Sequence, residues 1–283
     1  MISKQRVTSE IDSERSPNHY LLSWLDKNIS HATMTLIGRS IAKVSTSIEE
    51  LGRANALCYY LDRLLLAMPG RNGAVRYLFV AQPVPNGPLL PPRRGARIKV
   101  EQIDVMDPRL HALELDDTVQ AYRRDQKALC FAAFQDGTIL GCLWFCLGPY
   151  DEDVLRCRYH PRPSESAAWD FGAYVAPTYR TGFAFARLWD EVNAYYRSRG
   201  IHWSLSRISG ANPLSLRSHQ SLGAQVVGTA TFVTLFGLQV MSCSLGPRFH
   251  LSLGGNQVPN VDVAAPPVTV GDRPSVTTGA ASL

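Results

Sequence analysis

The segment YVAPTYRTGFAFARLWDEVNAYYRSRG, Tyr174 to Gly200, puts a hydrophobic strand end, an Arg-Thr-Gly turn and an amphipathic helix in direct succession. No acid appears in it before Asp190. A helix start leaves N–H groups free and carries partial positive charge, so a start without acids suits an anionic ligand. Arg180, Thr181 and Gly182, with the amides that follow them, are the candidate phosphate-binding residues. A second polar stretch is NPLSLRSHQSLGA, Asn212 to Ala224, with His219 on a short helix. Histidine exchanges protons near neutral pH and can act as a general acid. Asp170 lies on the strand that feeds the turn and is a candidate general base, with a purely structural hydrogen-bonding role as the equal alternative. The triplet Asp151-Glu152-Asp153 reads as a solvated loop.

Other chemistries find little support. The six cysteines form no CxxC and have no nearby histidine at zinc-ligand spacing, so they read as buried or half-buried free thiols in a reducing compartment. Cys157, between two arginines, is a minor candidate for a lowered pKa. There is no GxSxG elbow, no P-loop and no paired-cysteine metal site, so no metal is expected. The formal charge of +5 is spread out rather than run together, which argues against nucleic acid and fits an anionic small ligand. No apolar run has the length of a membrane helix, and the first residues lack a signal-peptide core, so the expected location is cytoplasmic.

These residues must be positioned by surrounding elements. Residues 1–33 are polar and unpatterned and read as a disordered arm; residues 246–283 read as a flexible tail poor in large apolar side chains. Residues 34–95 read as a small helix-strand extension closed by a proline-rich linker. Its helix is expected from the capping box at Ser47–Glu50 to about Met68, and its strand over VRYLFVAQPV. The main domain, 96–245, reads as strand, helix, a hairpin turned at Asp136-Gly137, then strand-helix-strand, a short helix and two closing strands. That order predicts an α/β fold with a mixed, mostly antiparallel twisted sheet flanked by helices, containing one βαβ crossover around the Arg-Thr-Gly helix.

The order and spacing over about 96–245 resemble the GNAT superfamily, the general N-acetyltransferase fold. Val175, Pro177, Tyr179 and Arg180 stand where the family has a strand ending in V-x-P-x-Y/F-R, and Leu188 stands at a usual leucine position. The resemblance implies a coenzyme A site made by Ala173, Tyr174, Val175, Arg180, Thr181, Gly182, Phe183, Ala184 and Phe185, with Asn212 near the pantetheine arm. The family's two glycine positions hold Phe183 and Phe185 here. His219 stands at the position of the family's tyrosine, which protonates the leaving thiolate. The resemblance thus implies an N-acyltransferase that uses acetyl-CoA or another acyl-CoA, with His219 as acid and Asp170 as base.

Three functions are therefore carried forward. The first is transfer of an acyl group, with acetyl foremost, from coenzyme A to an amine of a small molecule or peptide. The second is a long-chain acyltransferase, or one whose donor is an acyl carrier protein. The third is a non-catalytic binding module. The amine acceptor is unspecified, and a homodimer is left open.

Overall fold

A computed structural model describes residues 45–113, 117–254 and 257–267. The arm expected over 1–33 and the last part of the expected tail, 268–283, lie outside the described residues. The chain divides into two compact units, Met1–Glu50 and Leu51–Leu283. Of the first, only the helical residues 45–50 are described.

The fold is mixed α/β, with a large, mostly antiparallel sheet flanked by helices. The elements are α1 (Arg53–Leu66), β1 (Gly73–Pro83), β2 (Lys99–Ile103), a 3-10 helix at Pro108–Leu113, α2 (Asp117–Asp125), β3 (Leu129–Gln135), β4 (Thr138–Cys146), β5 (Tyr150–Asp151) and β6 (Arg158–Arg162). Then come β7 (Ala167–Val175), a 3-10 turn at Pro177–Tyr179, α3 (Ala184–Ser198), β8 (Trp203–Ser209), α4 (Pro213–Ser221), β9 (Gln225–Leu235), β10 (Leu238–Cys243), β11 (Phe249–Ser252) and β12 (Asn260–Ala264). The nine-stranded sheet runs β11-β10-β9-β1-β8-β7-β4-β3-β2, and β12-β6-β5 forms a second, small sheet. Among the described residues, the βαβ crossover β7-α3-β8 supplies the one parallel pair of the large sheet. It forms because α3 has an apolar face: Leu188, Trp189, Val192 and Tyr196 are all buried against Phe145, Leu143 and Ala168. Burying Leu188 and Val192 contributes roughly 1.5–3 kcal/mol each.

Three readings change. The segment set apart as an extension supplies β1, which lies inside the sheet between β8 and β9 and is antiparallel to both. Its middle is fully buried at Phe79, Val80 and Ala81, a two-sided burial that only an internal strand has. The expected helix from Ser47 to Met68 is broken at Gly52, whose φ of 79° is a left-handed conformation. The expected tail contains β11, paired to β10, and β12, which runs parallel to β6 and buries Val261 and Val263. The small sheet over 150–162 and 260–264 caps the aromatic core that contains Trp169, Tyr159 and Tyr150.

Candidate functional site

The site begins with a gap in the large sheet. Strands β7 and β8 pair only at Ala167–Trp169 with Trp203–Leu205. Beyond that point β7 stays with β4 as far as Val175, and β8 stays with β1 as far as Ser209. A wedge therefore opens between Asp170–Val175 and Ser206–Ser209. Its cause is local: the β4–β7 register shifts between Trp144 and Phe145, where Phe171 is the extra residue. A bulge bends its strand and strengthens the twist. Phe171 packs on Tyr150, with ring centroids 4.3 Å apart. At the wedge mouth β4 and β7 approach so closely that a Cβ on Gly141 would lie 2.3 Å from the Tyr174 carbonyl oxygen. Ala173, Tyr174 and Val175 form the β7 rim of the opening.

Past the rim the chain turns through Pro177–Tyr179 into α3. Arg180 Nε donates to the Val175 carbonyl at 3.0 Å and so ties the turn to the strand end. The Gly182 amide donates to the Tyr179 carbonyl at 3.1 Å and is thus already used. Among the described residues, the amides of Thr181, Phe183, Ala184 and Phe185 have no backbone hydrogen-bond acceptor. The first turn of α3 holds no acid, as the sequence indicates. A cavity of about 390 Å³ lies at this helix start, with Thr181, Gly182, Phe183 and Ala184 on one side and Arg93 and Arg97 on the other. Phe185 is turned away from the turn toward Trp189 and His219. Phe183 is the N-cap residue and is exposed.

Sequence reasoning misses the role of the proline-rich linker. It runs along α3 from the C-terminal end to the N-terminal end. Arg197 Nη1 donates to the Pro85 carbonyl at 2.7 Å, the Leu89 amide donates to Asp190, and Gly95 packs against Phe183 and Arg187. A Cβ on Gly95 would meet the Phe183 Cβ at 2.9 Å. Gly95, at φ 66°, lets this strap deliver Arg93 and Arg97 to the helix start.

Asp170 stands at the apex of the wedge, one residue past the last β7–β8 pair. Ser204 Oγ donates to its Oδ2 at 2.9 Å. Burial raises its pKa to about 7, with Ser204, Ser206 and Arg207 pulling the other way. A carboxyl poised near neutrality can take up and return a proton at working pH. His219 is buried on α4, edge-on to Phe185 and Trp189 at 6.0 and 5.7 Å. Its Nδ1 donates to Gln82 Oε1 at 3.0 Å. Burial lowers its pKa to about 4, so in the free protein the ring is neutral near pH 7. Asn212, expected near the pantetheine arm, caps α4: its Oδ1 accepts from the Ser215 amide at 3.0 Å.

The acidic triplet is not a solvated loop. Glu152 is buried and forms a two-pronged pair with Arg207, which also reaches Asp153 at 3.2 Å. Arg207 lies over the Tyr77 ring at 4.8 Å. Burial outweighs the arginine and raises the Glu152 pKa to about 7. The chain separation of the partners hides this pair from any reading by local pattern. All six cysteines are buried and free, as the sequence indicates, and burial pushes Cys157 up to about 12, which removes it as the minor candidate for a lowered pKa. Among the described residues no group of three or more metal-ligand side chains occurs, and no helix is long and apolar enough to cross a membrane.

No family model matches the chain, and no curated protein matches it. Among solved structures it is similar to GNAT acetyltransferases. An aminoglycoside N-acetyltransferase in complex with CoA is 22% identical over 46% of this chain and 90% of its own, with a TM-score of 0.35. A GNAT-family structure from Novosphingobium aromaticivorans is 21% identical over 58% of this chain and 66% of its own, with a TM-score of 0.39. A tandem GNAT protein from the clavulanic acid biosynthesis pathway is 14% identical over 54% of this chain and 50% of its own, with a TM-score of 0.38.

Proposed function

We propose that the chain is an acyltransferase that moves an acyl group, acetyl in the simplest case, from a coenzyme A thioester to an amine. The observation that carries this reading is the wedge between β7 and β8 with Asp170 at its apex. The facing edges of the two strands carry backbone groups that no ladder between them satisfies, and such edges suit an extended amide-bearing arm. The residues present fit a donor of this kind. The free amides of Thr181, Phe183, Ala184 and Phe185 would hold its pyrophosphate, with Arg93 and Arg97 facing them across the cavity. The rim residues Ala173, Tyr174 and Val175 would flank the arm. Arg180 and Gly182 shape the turn, and Asn212 fixes the start of α4 on the β8 side.

In this reading the amine nitrogen forms its bond to the acyl carbon, and the carbon–sulfur bond breaks. The Asp170 carboxylate takes the amine proton, and the departing sulfur ends as the thiol. His219 is the second candidate for that last proton: a thiolate close to the ring would favour its protonated form, which the free protein does not hold. The exposed Phe183 at the mouth favours a second donor, a phosphopantetheinylated acyl carrier protein, which would present the same arm with a protein surface against this aromatic.

The test is calorimetric titration with coenzyme A and acetyl-CoA, followed by a free-thiol assay across a panel of amines. Binding of coenzyme A with thiol release that depends on the amine supports the reading. No binding of coenzyme A, and no turnover with the carrier-protein donor, leaves the chain as a binding module.

A further inference from the structure

A second cavity, of about 690 Å³, opens where the end of α1, the start of β1, the loop 153–156 and the β9–β10 hairpin meet. Its wall is apolar at Val75 and Phe232 and carries four charges, Asp62, Asp153, Arg71 and Arg156. Among the described residues neither Arg71 nor Arg156 has a carboxylate partner, and Asp62 has no cationic one. Arg156 spends one nitrogen on the Gly237 carbonyl at 2.6 Å, and its Nε is buried without a partner. Asp62 accepts from the Ala74 amide with Oδ1 alone. Two guanidinium groups and one carboxylate thus face a single cavity without counter-charges from the protein. Asp153, in the same wall, is bonded to Arg207 at 3.2 Å, and Arg207 lies on the stretch of β8 that has parted from β7 while still paired with β1.

We propose that this cavity receives the acceptor, and that the acceptor is an amine that also carries a carboxylate, an amino acid or a short peptide. The inference rests on the acyl-transfer reading. Guanidinium groups present a planar fork that matches a carboxylate, so Arg71 and Arg156 take the acidic end. Asp62 and Asp153 hold the ammonium, with Asp153 nearest the wedge. The ammonium sheds one proton to become nucleophilic. That first proton goes to solvent; Asp170 takes the second as the nitrogen–carbon bond forms and the carbon–sulfur bond breaks, and one proton returns to the sulfur, which leaves as the thiol. A volume of about 690 Å³ exceeds what a single amino acid fills and leaves Val75 and Phe232 for an apolar side chain.

The test is calorimetry on the full chain at pH 7.5 with the dipeptide Gly-Leu, its methyl ester and its N-acetyl form, in parallel with coenzyme A. Gly-Leu binds, and the ester and the N-acetyl form bind about tenfold or more weakly, since each loses one charged partner. Arg71→Gln and Asp62→Asn, both at solvent-accessible positions, weaken Gly-Leu by a similar factor and leave coenzyme A affinity unchanged. With acetyl-CoA present, mass spectrometry finds N-acetyl-Gly-Leu. If coenzyme A binds while neither Gly-Leu nor any of the free amino acids does, the inference falls and the acyl-transfer reading stands. An ester that binds as tightly as the acid, or a dipeptide bound without being acylated, also overturns it. If coenzyme A does not bind, the acyl-transfer reading fails first and the acceptor role goes with it.

Discussion

Ser204 on β8 stands directly opposite Gln82 on β1, and each carries a hydrogen bond to a titratable group. Ser204 Oγ donates to Asp170, and Gln82 accepts from His219. Two groups with oppositely displaced pKa values are thus held in one polar row across β7, β8 and β1, beneath α3 and α4. Asp170 is raised to about 7 and His219 lowered to about 4, each mainly by burial. Pairs of titratable groups pushed apart in this way mark sites where protons are handled, and structural networks produce them as well. Mutants must decide between the two.

Asp170→Asn tests the base. Turnover of the wild type rises with pH through about 7 as the carboxylate forms. The variant loses that rise and about 10²–10⁴-fold in rate, while coenzyme A affinity is retained. Stability gives an independent reading. Because the folded pKa is raised from 3.8, the native state holds a proton that the unfolded state has released between pH ~4 and ~7. Asp170 therefore favours folding at low pH, and that contribution is lost as pH rises through about 7. Denaturant titrations at several pH values show a smaller fall in stability over this window for Asp170→Asn. Equal slopes for the two proteins would show that the carboxyl is not perturbed.

Arg207→Met tests the buried ion pair. Removing one partner of such a pair costs about 3–5 kcal/mol, because the other charge is left stranded. Glu152 titrates at about 7, so at pH 5 it can remain protonated and the loss is smaller. Urea denaturation at pH 5 and pH 8 reads the difference. A variant equally stable at both would show that Glu152 is solvated once Arg207 is gone.

Gly141→Ala tests the close approach that frames the wedge mouth. The added Cβ would lie 2.3 Å from the Tyr174 carbonyl, a backbone atom that cannot swing aside. The strands must part, at a cost of about 1–3 kcal/mol as for other overpacked sites. Donor affinity falls with stability, because Tyr174 and Val175 lead into the turn. Unchanged melting with weakened donor binding would mean that only the rim has moved.

The crossover β7-α3-β8 and the electropositive helix start are legible in sequence because both are local. An apolar strand, a turn and the amphipathic stripe of Leu188, Trp189, Val192 and Tyr196 follow one another without interruption. The place of β1 is not legible. Residues Val75 to Val84 read as a strand, close to the observed Gly73–Pro83, yet nothing within them says that their neighbours are β8 and β9, more than a hundred residues away. The wedge depends on a one-residue bulge at Phe171, which has no signature in residue type. Asn-Val-Asp-Val-Ala alternates like a strand, but it is short and lies among prolines and glycines, so β12 is hidden. Glu152 looks solvated because the residues on either side of it are also acidic, and its partner is 55 residues further on.

His219 decides whether the polar row is chemical or structural. The ring packs edge-on against Phe185 and Trp189 and donates to Gln82. His219→Ala therefore removes buried contacts and leaves the Gln82 oxygen without that donor, a loss of about 2–4 kcal/mol from the cavity and the lost hydrogen bond together. Its pH signature is opposite to that of Asp170. The folded pKa is depressed from 6.5 to about 4, so between these values the unfolded state binds the extra proton. Neutral burial thus contributes stability that is present above pH ~6.5 and is lost as pH falls through about 4. In His219→Ala that acid-side loss disappears, and the stability difference from wild type shrinks toward pH 4. His219→Gln keeps a donor for Gln82 without a titrating ring and separates packing from proton chemistry. If turnover in His219→Gln stays near wild type at every pH while His219→Ala is merely less stable, the histidine is a packing residue and Asp170 alone handles the proton. If His219→Gln folds normally, binds coenzyme A normally and loses about 10²–10⁴-fold in turnover, His219 is the acid that the sequence resemblance implies.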